Sequence, residues 1–239
     1  MAMGDIHDCI DRIMILFGLI DEYLSVPRYI LFTGDFGGDV STLKFLGGIL
    51  EKRGIIGIST YGNHEPEIIR RIHSSENVKC IYGIKIIPLG KTYEVGGIKI
   101  LSIGGNRGSG KKWSHWRDHE ILEIIRQQKN QKIDIVLAHE MPFGLADRCR
   151  GNKNCGQIAL RELIEKLEPR IYLGGHLHTY PSVTKYKETY IVKVGGISNR
   201  GYLKNKSFFA TLEISNTIKI ESYCVDIEKR EISLVLKEQ

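Results

Sequence analysis

No apolar run in the sequence approaches the roughly 18 residues that a membrane-crossing helix needs, so no membrane span is expected. The opening Met1-Ala2-Met3-Gly4-Asp5 has neither a basic segment nor an apolar stretch. Nothing there resembles a secretion signal, and a cytoplasmic location is the simplest expectation. There is no block of lysine and arginine long enough to act as a nucleic-acid arm. Cysteine is sparse and odd in number, five in 239 residues, which excludes a disulfide framework. No repeat, low-complexity tract or linker divides the chain, so residues 1–239 are expected to form one domain. What is present is the composition of a globular protein with a large apolar core, carrying a net charge of +6 that favours anionic partners.

Apolar residues Ile10, Ile13, Met14, Phe17 and Ile20 recur at three- and four-residue steps, predicting an amphipathic helix from Asp8 to Leu24 with Asp8 as its N-cap. Strand-like Tyr29 to Thr33, a helical stretch from Val40 to Lys52 and strand-like Ile56 to Tyr61 follow, an alternation typical of βαβ units. Short strands are expected at 78–81, 84–88, 92–95 and 98–103, then a helix near 115–128. Strand and helix alternate again at 133–138, 157–167 and 170–173. The last sixty residues alternate polar and apolar at 182–185, 190–194, 208–214 and 218–225, which points to antiparallel pairing.

Five segments share a grammar in which a strand or turn gives way to a metal-capable side chain, mostly beside glycine. They are Gly4-Asp5-Ile6-His7, Gly34-Asp35, Gly62-Asn63-His64-Glu65, His139-Glu140 and Gly174-Gly175-His176-Leu177-His178. Loops at strand ends are where a rigid scaffold displays reactive groups. In extended chain, residues i and i+2 point the same way, so Asp5 can face one centre with His7, and His176 can lie beside His178. Carboxylate, amide oxygen and imidazole suit manganese, iron, zinc or similar divalent ions without any thiolate. Two such ions close together can clamp a phosphoryl group, and a carboxylate can bridge them, which makes Asp35 the natural shared ligand.

The order D-x-H, GD, GNHE, H and GHxH resembles the calcineurin-like metallophosphoesterase superfamily, with motifs spread from residue 4 to 178. The resemblance implies an α/β fold, a four-layer αββα sandwich with the site at the strand ends. It implies two divalent metal ions, one held by Asp5, His7 and His178, the other by Asn63, His139 and His176, with Asp35 between them. His64 would face the scissile phosphate and stabilise or protonate the leaving oxygen. The implied activity is hydrolysis of phosphate mono- or diesters through a metal-bridging hydroxide; the alternative is a non-catalytic binding or scaffold protein that keeps the fold. The substrate is then a phosphate ester, with nucleic acid admissible as substrate but not indicated, and the sequence is silent on oligomeric state. Two departures stand out. Only three residues precede Gly4 where the family has a full apolar strand, so Asp5 and His7 are expected on a poorly anchored segment. The Gly-Asp motif runs on as Phe36-Gly37-Gly38, without the arginine of the protein serine/threonine phosphatase branch, which disfavours that activity.

Other features compete with this reading. Gly105-Asn-Arg-Gly-Ser-Gly110-Lys111 nearly spells a phosphate-cradling P-loop, but Lys112 stands where a magnesium-binding serine or threonine is required. Arg107 and Lys111 are instead candidate substrate-phosphate contacts, since an arginine fork matches phosphate oxygens. His73 is expected on the surface, and His115 is a weaker candidate for touching substrate. Glu65 and Glu140 either orient their metal-ligating neighbours or are simply solvated. Arg148, Arg150 and Lys153 lie in a polar stretch expected to loop over the site. Cys149 and Cys155 either pair, as cysteines of intracellular thermophile proteins do, or remain thiols. A structural zinc site made of these two cysteines with His176 and His178 has unsuitable spacing.

Overall fold

The computed structural model describes residues 1–72, 75–109, 112–200 and 204–238, with Arg150 described by its backbone alone. Along the chain run β1 (Ala2–Met3), α1 (Ile10–Tyr23), β2 (Tyr29–Phe32), α2 (Val40–Lys52), β3 (Ile56–Ser59), α3 (Glu67–Arg70), β4 (Lys79–Ile81) and β5 (Ile84–Ile86). Then come β6 (Thr92–Val95), β7 (Ile98–Ile103), β8 (Asn106–Arg107), β9 (His115–Trp116), α4 (Asp118–Gln128), β10 (Ile135–Ala138), α5 (Ile158–Leu167) and β11 (Ile171–Gly174). The chain closes with β12 (Ser182–Tyr186), β13 (Thr189–Lys193), β14 (Lys206–Ile214), β15 (Ile218–Asp226) and β16 (Glu231–Glu238).

Two large sheets result. One has the order β16-β15-β14-β1-β2-β3-β5-β4, the other β12-β13-β11-β10-β7-β6, and β8 pairs with β9 in a small third sheet. The centres are parallel, β1-β2-β3-β5 in one and β7-β10-β11-β13 in the other. Central strands buried on both faces read as continuous apolar runs, as YILF in β2 and IVLA in β10 do. Their alternate residues divide between layers. Ile30 and Phe32 of β2 join Ile13, Leu16, Phe17, Leu43 and Leu46 under α1 and α2, whereas Leu31 faces the opposite sheet. Likewise Val136 and Ala138 of β10 pack under α4 and α5, while Ile135 and Leu137 meet Leu31, Ile58 and Ala210 between the sheets. Three apolar layers thus separate helices, sheet, sheet and helices, the four-layer αββα sandwich. Among the described residues no helix is long and apolar enough to cross a membrane.

The opening segment is better anchored than the sequence implied. Strand β1 has only two residues, yet it lies mid-sheet, with Ala2 opposite both Leu31 and Ala210. Leu31 N donates to Met1 O at 2.8 Å and Thr33 N to Met3 O at 3.0 Å. Met1, Ala2 and Met3 are buried. Neighbouring strands supply the anchorage that length would otherwise provide.

Several local expectations are corrected. Asp8 does not cap α1, whose N-cap Cys9 makes no side-chain capping bond. Its carboxylate instead accepts from Gly38 N (3.0 Å), Asp39 N (3.2 Å) and the Thr42 hydroxyl (2.9 Å), tying the first loop to the start of α2. The helix expected from His115 starts at Asp118, because His115 and Trp116 are taken into β9. Strand β16 was not anticipated. It pairs with β15 at the sheet edge, where exposure of most of its side chains removes the burial pattern that marks a strand.

Cys149 and Cys155 are joined in a disulfide, which excludes the zinc reading for that pair. Just before the loop it closes, Arg148 O accepts from Lys193 Nζ (3.1 Å) and from the Thr179 hydroxyl (3.4 Å), beside His178. The Arg148 guanidinium turns back onto Asn152 O.

Candidate metal centre

Strands β1, β2, β3, β10 and β11 are parallel within their sheets, and the motif residues all occupy the loops at their carboxyl ends. This is the edge where open parallel sheets place ligand sites. The loops bring together Asp5, His7, Asp35 and His178 in one cluster, and Asp35, His139 and His176 in a second. In each cluster one nitrogen or oxygen from every residue lies within 4.8 Å of the others. Asn63 joins the second cluster, its Oδ1 standing 3.2 Å from His139 Nε2.

The backbone delivering these groups is not extended. Asp5 (φ 51°), His7 (φ 47°), Asp35 (φ 58°), His176 (φ 68°) and His178 (φ 45°) are all left-handed. The side-by-side arrangement expected of i and i+2 in a strand is therefore produced by tight turns. His178 serves one cluster and His176 the other. The turns are held by amides: Asp5 N donates to Gly34 O (3.0 Å), Ile6 N (2.8 Å) and His7 N (3.1 Å) both donate to Asp35 O, and Ser198 N donates to Asp5 O (2.9 Å).

The polar atoms are paired as a cation site requires. His139 Nδ1 faces Thr33 O at 2.9 Å, so its N–H donates there and its Nε2 lone pair turns to the cluster. That Nε2 faces His176 Nδ1 at 3.1 Å, and His7 Nε2 faces His178 Nε2 at 3.0 Å. Asp35 Oδ1 accepts from His64 N at 2.8 Å, whereas Asp35 Oδ2 is buried without a hydrogen-bond donor among the described residues. Oδ2 lies 3.4 Å from His7 Nε2 and 3.5 Å from His139 Nε2. A single Asp35 oxygen thus faces both clusters, rather than one oxygen serving each. Atoms about 2.1 Å from a common cation, set at octahedral or tetrahedral angles, lie about 3.0–3.4 Å apart, which is the spacing found. The donor set fits two divalent ions.

Electrostatics agree. Burial lowers His7 and His176 to about 3, with His178 also lowered, so these imidazoles present lone pairs at neutral pH. Burial pushes Asp5 up to about 7, assisted by the Asp35 charge and opposed by His139. Against its own burial, Asp35 is held below the usual carboxylate range by His139 and His7. Burial also disfavours charge on His139, but Asp35 and Asp5 raise it overall.

The surrounding groups orient the loops. Glu65 accepts from Gly62 N (2.6 Å), Asp35 N (2.7 Å) and Phe36 N (3.0 Å), locking two motif loops together. Glu140 accepts from Arg107 N (2.8 Å) and Gln157 Nε2 (3.1 Å), and its carboxylate lies 4.0 Å from His176 Nε2. Both glutamates therefore orient neighbours rather than stand in solvent. Gly62 and Gly175 are required by close approach: a Cβ at Gly62 would meet Asp35 Oδ1 at 2.0 Å, and one at Gly175 would meet Asp5 Oδ2 at 2.6 Å.

His64 is exposed at the rim, its ring 5.2 Å from that of His7. Arg107 is not drawn to the clusters; its exposed guanidinium forks onto Asp118 at 2.6 and 2.9 Å. Only its backbone N–H connects to the site, through Glu140. Lys111 and His73 lie outside the described residues. His115 packs against Gly108, away from any cluster contact. Sequence reasoning missed Thr33, whose carbonyl fixes the His139 tautomer, and Arg12, whose buried guanidinium donates to Lys206 O (3.0 Å), Ser207 Oγ (3.3 Å), Ile197 O (3.4 Å) and Lys204 O. An arginine on the buried side of an amphipathic helix was the available signal for the second.

A family profile described as calcineurin-like phosphoesterase matches residues 1–180, and the chain belongs to that family. Similar solved structures include TT1561 of Thermus thermophilus, with 12% identity, TM-score 0.64, and coverage of 98% of this chain and 96% of that one. A dimetal phosphatase from Danio rerio has 10% identity and TM-score 0.56, covering 92% and 93%. GAP50, described as the anchor in the inner membrane complex of Plasmodium, has 14% identity and TM-score 0.56, covering 100% and 86%. Among curated proteins no sequence matches. At these identities the solved structures speak to the fold.

Proposed function

We propose that the chain hydrolyses phosphate mono- or diesters at a dinuclear metal centre. Asp5, His7, Asp35 and His178 would hold one divalent ion, and Asp35, Asn63, His139 and His176 the other. When bound, such a pair supplies Lewis acidity toward phosphoryl oxygens and lowers the pKa of water. The chain supplies the rest. Thr33 O fixes the ring of His139, Glu140 places a carboxylate 4.0 Å from His176 Nε2, Glu65 holds the Asp35 and Gly62 loops in register, and the buried site keeps bulk water from screening the charges. His64 stands on the open side, free to hydrogen-bond the phosphoryl group and to give a proton to the leaving oxygen.

One observation carries the reading: Asp35 Oδ2, buried and lacking a donor among the described residues, facing imidazole nitrogens of both clusters at 3.4 and 3.5 Å. The test is to load metal-free protein with manganese, count the bound metal, and assay p-nitrophenyl phosphate and bis-p-nitrophenyl phosphate. Binding of two ions with turnover of either ester is expected. His64→Ala is expected to keep the metals and lose about 10²–10³-fold in kcat, as loss of a proton donor does. A scaffold protein that merely retains the fold is the competing reading; less than one metal per chain, with no turnover, would favour it.

A further inference from the structure

A small cavity of about 10 Å³ adjoins the first cluster, lined by His178, Thr179, Gly196, Ser198, Arg200, Lys206 and Phe208. His178 and Thr179 come from the β11 exit; the other lining residues come from the loop between β13 and β14 and the start of β14, which none of the metal motifs includes. Its size admits about one oxygen-sized group.

Three polar groups around it lack hydrogen-bond or ion-pair partners among the described residues, whereas the Thr179 hydroxyl donates to Arg148 O and accepts from Lys193 Nζ. Ser198 is 4% exposed, and its hydroxyl has no hydrogen-bond partner among the described residues. A buried hydroxyl left this way is destabilising unless a ligand or water completes it. Arg200 is exposed and makes no ion pair among the described residues. It lines the cavity together with His178. The Lys206 ammonium stands over the Tyr180 ring at 5.8 Å. Asp226 lies opposite Lys206 in the ladder but makes no ion pair with it among the described residues, and its Oδ1 accepts from Lys229 N. The described ends of the loop are fixed: Ser198 N donates to Asp5 O, Ile197 N donates to Gly4 O, and Arg12 clamps the carbonyls of Ile197, Lys204 and Lys206. The unpaired hydroxyl thus sits on anchored backbone beside His178, with Arg200 and Lys206 lining the same cavity.

We propose that Ser198, Arg200 and Lys206 form an anion subsite for a second phosphoryl group next to the scissile one. The subsite rests on the phosphoesterase reading for its role in catalysis and gives that reading a substrate class. Compounds carrying two adjacent phosphoryl groups, of the nucleoside diphosphate kind, are preferred over esters with one phosphate. Ser198 Oγ donates to one oxygen in the cavity, while Arg200 and Lys206 neutralise the group from the solvent side.

Two measurements decide it. In the first, inorganic pyrophosphate is titrated into metal-free wild type, Arg200→Ala/Lys206→Ala and Ser198→Ala by calorimetry. Binding by wild type, weakened about tenfold or more in the double variant and severalfold in S198A, is expected from loss of charge-assisted contacts. Absence of binding to wild type, or binding unchanged in the double variant, overturns the proposal. In the second, the manganese-loaded proteins are assayed with adenosine diphosphate and p-nitrophenyl phosphate. The double variant is expected to raise KM for adenosine diphosphate about tenfold and leave p-nitrophenyl phosphate within about twofold. Equal losses on both substrates, or no turnover of adenosine diphosphate by an enzyme that cleaves p-nitrophenyl phosphate, overturn it. If wild type cleaves neither of these nor bis-p-nitrophenyl phosphate, the phosphoesterase reading fails, and the pyrophosphate titration still decides the subsite. Thermal unfolding of each variant separates lost contacts from lost structure.

Discussion

Gly62 is where the fold and the candidate site press hardest on one another, and Gly62→Ala tests whether that contact sets metal geometry. An added methyl would stand 2.0 Å from Asp35 Oδ1, 2.7 Å from Asp35 Cγ and 2.7 Å from His139 Cε1. Ordinary contact needs about 3.5 Å, so one or both side chains must retreat by about 1 Å. Neither retreats freely. Asp35 Oδ1 is held by His64 N, His139 Nδ1 by Thr33 O, and the Gly62 amide by Glu65. Overpacking of this kind costs about 1–3 kcal/mol of stability. For a chain of this size, that lowers the melting temperature by about 2–4 °C per kcal/mol. The effect on the site should be larger, since a 1 Å misplacement of a reacting constellation costs about 10²-fold in rate. The expected result is a folded protein that binds fewer than two metals by elemental analysis, with kcat on p-nitrophenyl phosphate down about 100-fold. Gly48→Ala is the control, because a methyl there meets nothing within 4 Å on α2; it should leave both readouts intact and add up to about 1 kcal/mol of stability. Full metal content and full activity in Gly62→Ala would refute the claim that Asp35 and His139 are fixed ligands.

Other outcomes follow from the same structure. Asp8→Ala should destabilise the chain by about 1–2 kcal/mol in chemical denaturation, through loss of its bonds to the start of α2, while metal content stays unchanged. Arg12→Ala should cost about 3 kcal/mol, because buried carbonyls at 197, 204 and 206 lose their donor, and Arg12→Lys should restore only part of it. Cys155→Ser should lower stability by about 2 kcal/mol, the loop-closure effect of a short bridge, with catalysis preserved. Asp5, raised to about 7 when metal-free, must lose its proton to bind a cation, so manganese affinity measured by titration should fall as pH drops below about 7 and level off above it. The sign for the metal-free fold is opposite. A raised carboxyl pKa contributes stability that is present below the unfolded value of about 3.9 and lost as pH rises toward 7, so metal should stabilise most at and above neutral pH.

Much of this architecture was legible because strands buried on both faces have little choice of residue. Runs such as YILF and IVLA announce themselves, and the polar residue that ends each run marks the functional edge. The metal-capable residues were legible because aspartate, asparagine and histidine recur together at five strand or turn exits, whereas a lone aspartate there, such as Asp39, caps a helix. What was hidden depends on contacts distant in sequence. The anchorage of β1 comes from Leu31 and Ala210, not from its own two residues. Asp8 looks like a cap for α1, the helix that follows it, but the turn at φ 62° sends its carboxylate to α2, thirty residues away. Arg107 looks like a phosphate fork until Asp118 is found occupying it. Ser198 and Arg200 carry no motif at all; only the meeting of the β13–β14 loop with the β11 exit places them by His178.

The left-handed residues explain how so much polar density is tolerated before any cation arrives. A non-glycine residue in this conformation costs about 1–2 kcal/mol, and Asp5, His7, Asp8, Asp35, His176 and His178 all adopt it within one loop cluster. Asparagine and aspartate bear it best; histidine does so less readily, and the strain persists only where surrounding structure overdetermines it. Here the restraint is independent of metal: Asp35 O takes the amides of both Ile6 and His7, Asp5 takes the His176 amide on its carboxylate, and Gly4 and Asp5 accept from Ile197 and Ser198. Replacing His7 or His176 by glycine should therefore remove a ligand yet relieve backbone strain, giving a protein with lower metal content whose metal-free form melts no lower than wild type. Alanine at the same positions removes the ligand without the relief and should melt lower than glycine. If glycine and alanine variants melted alike, the turns would be unstrained and the ligand geometry would owe its form to the metal.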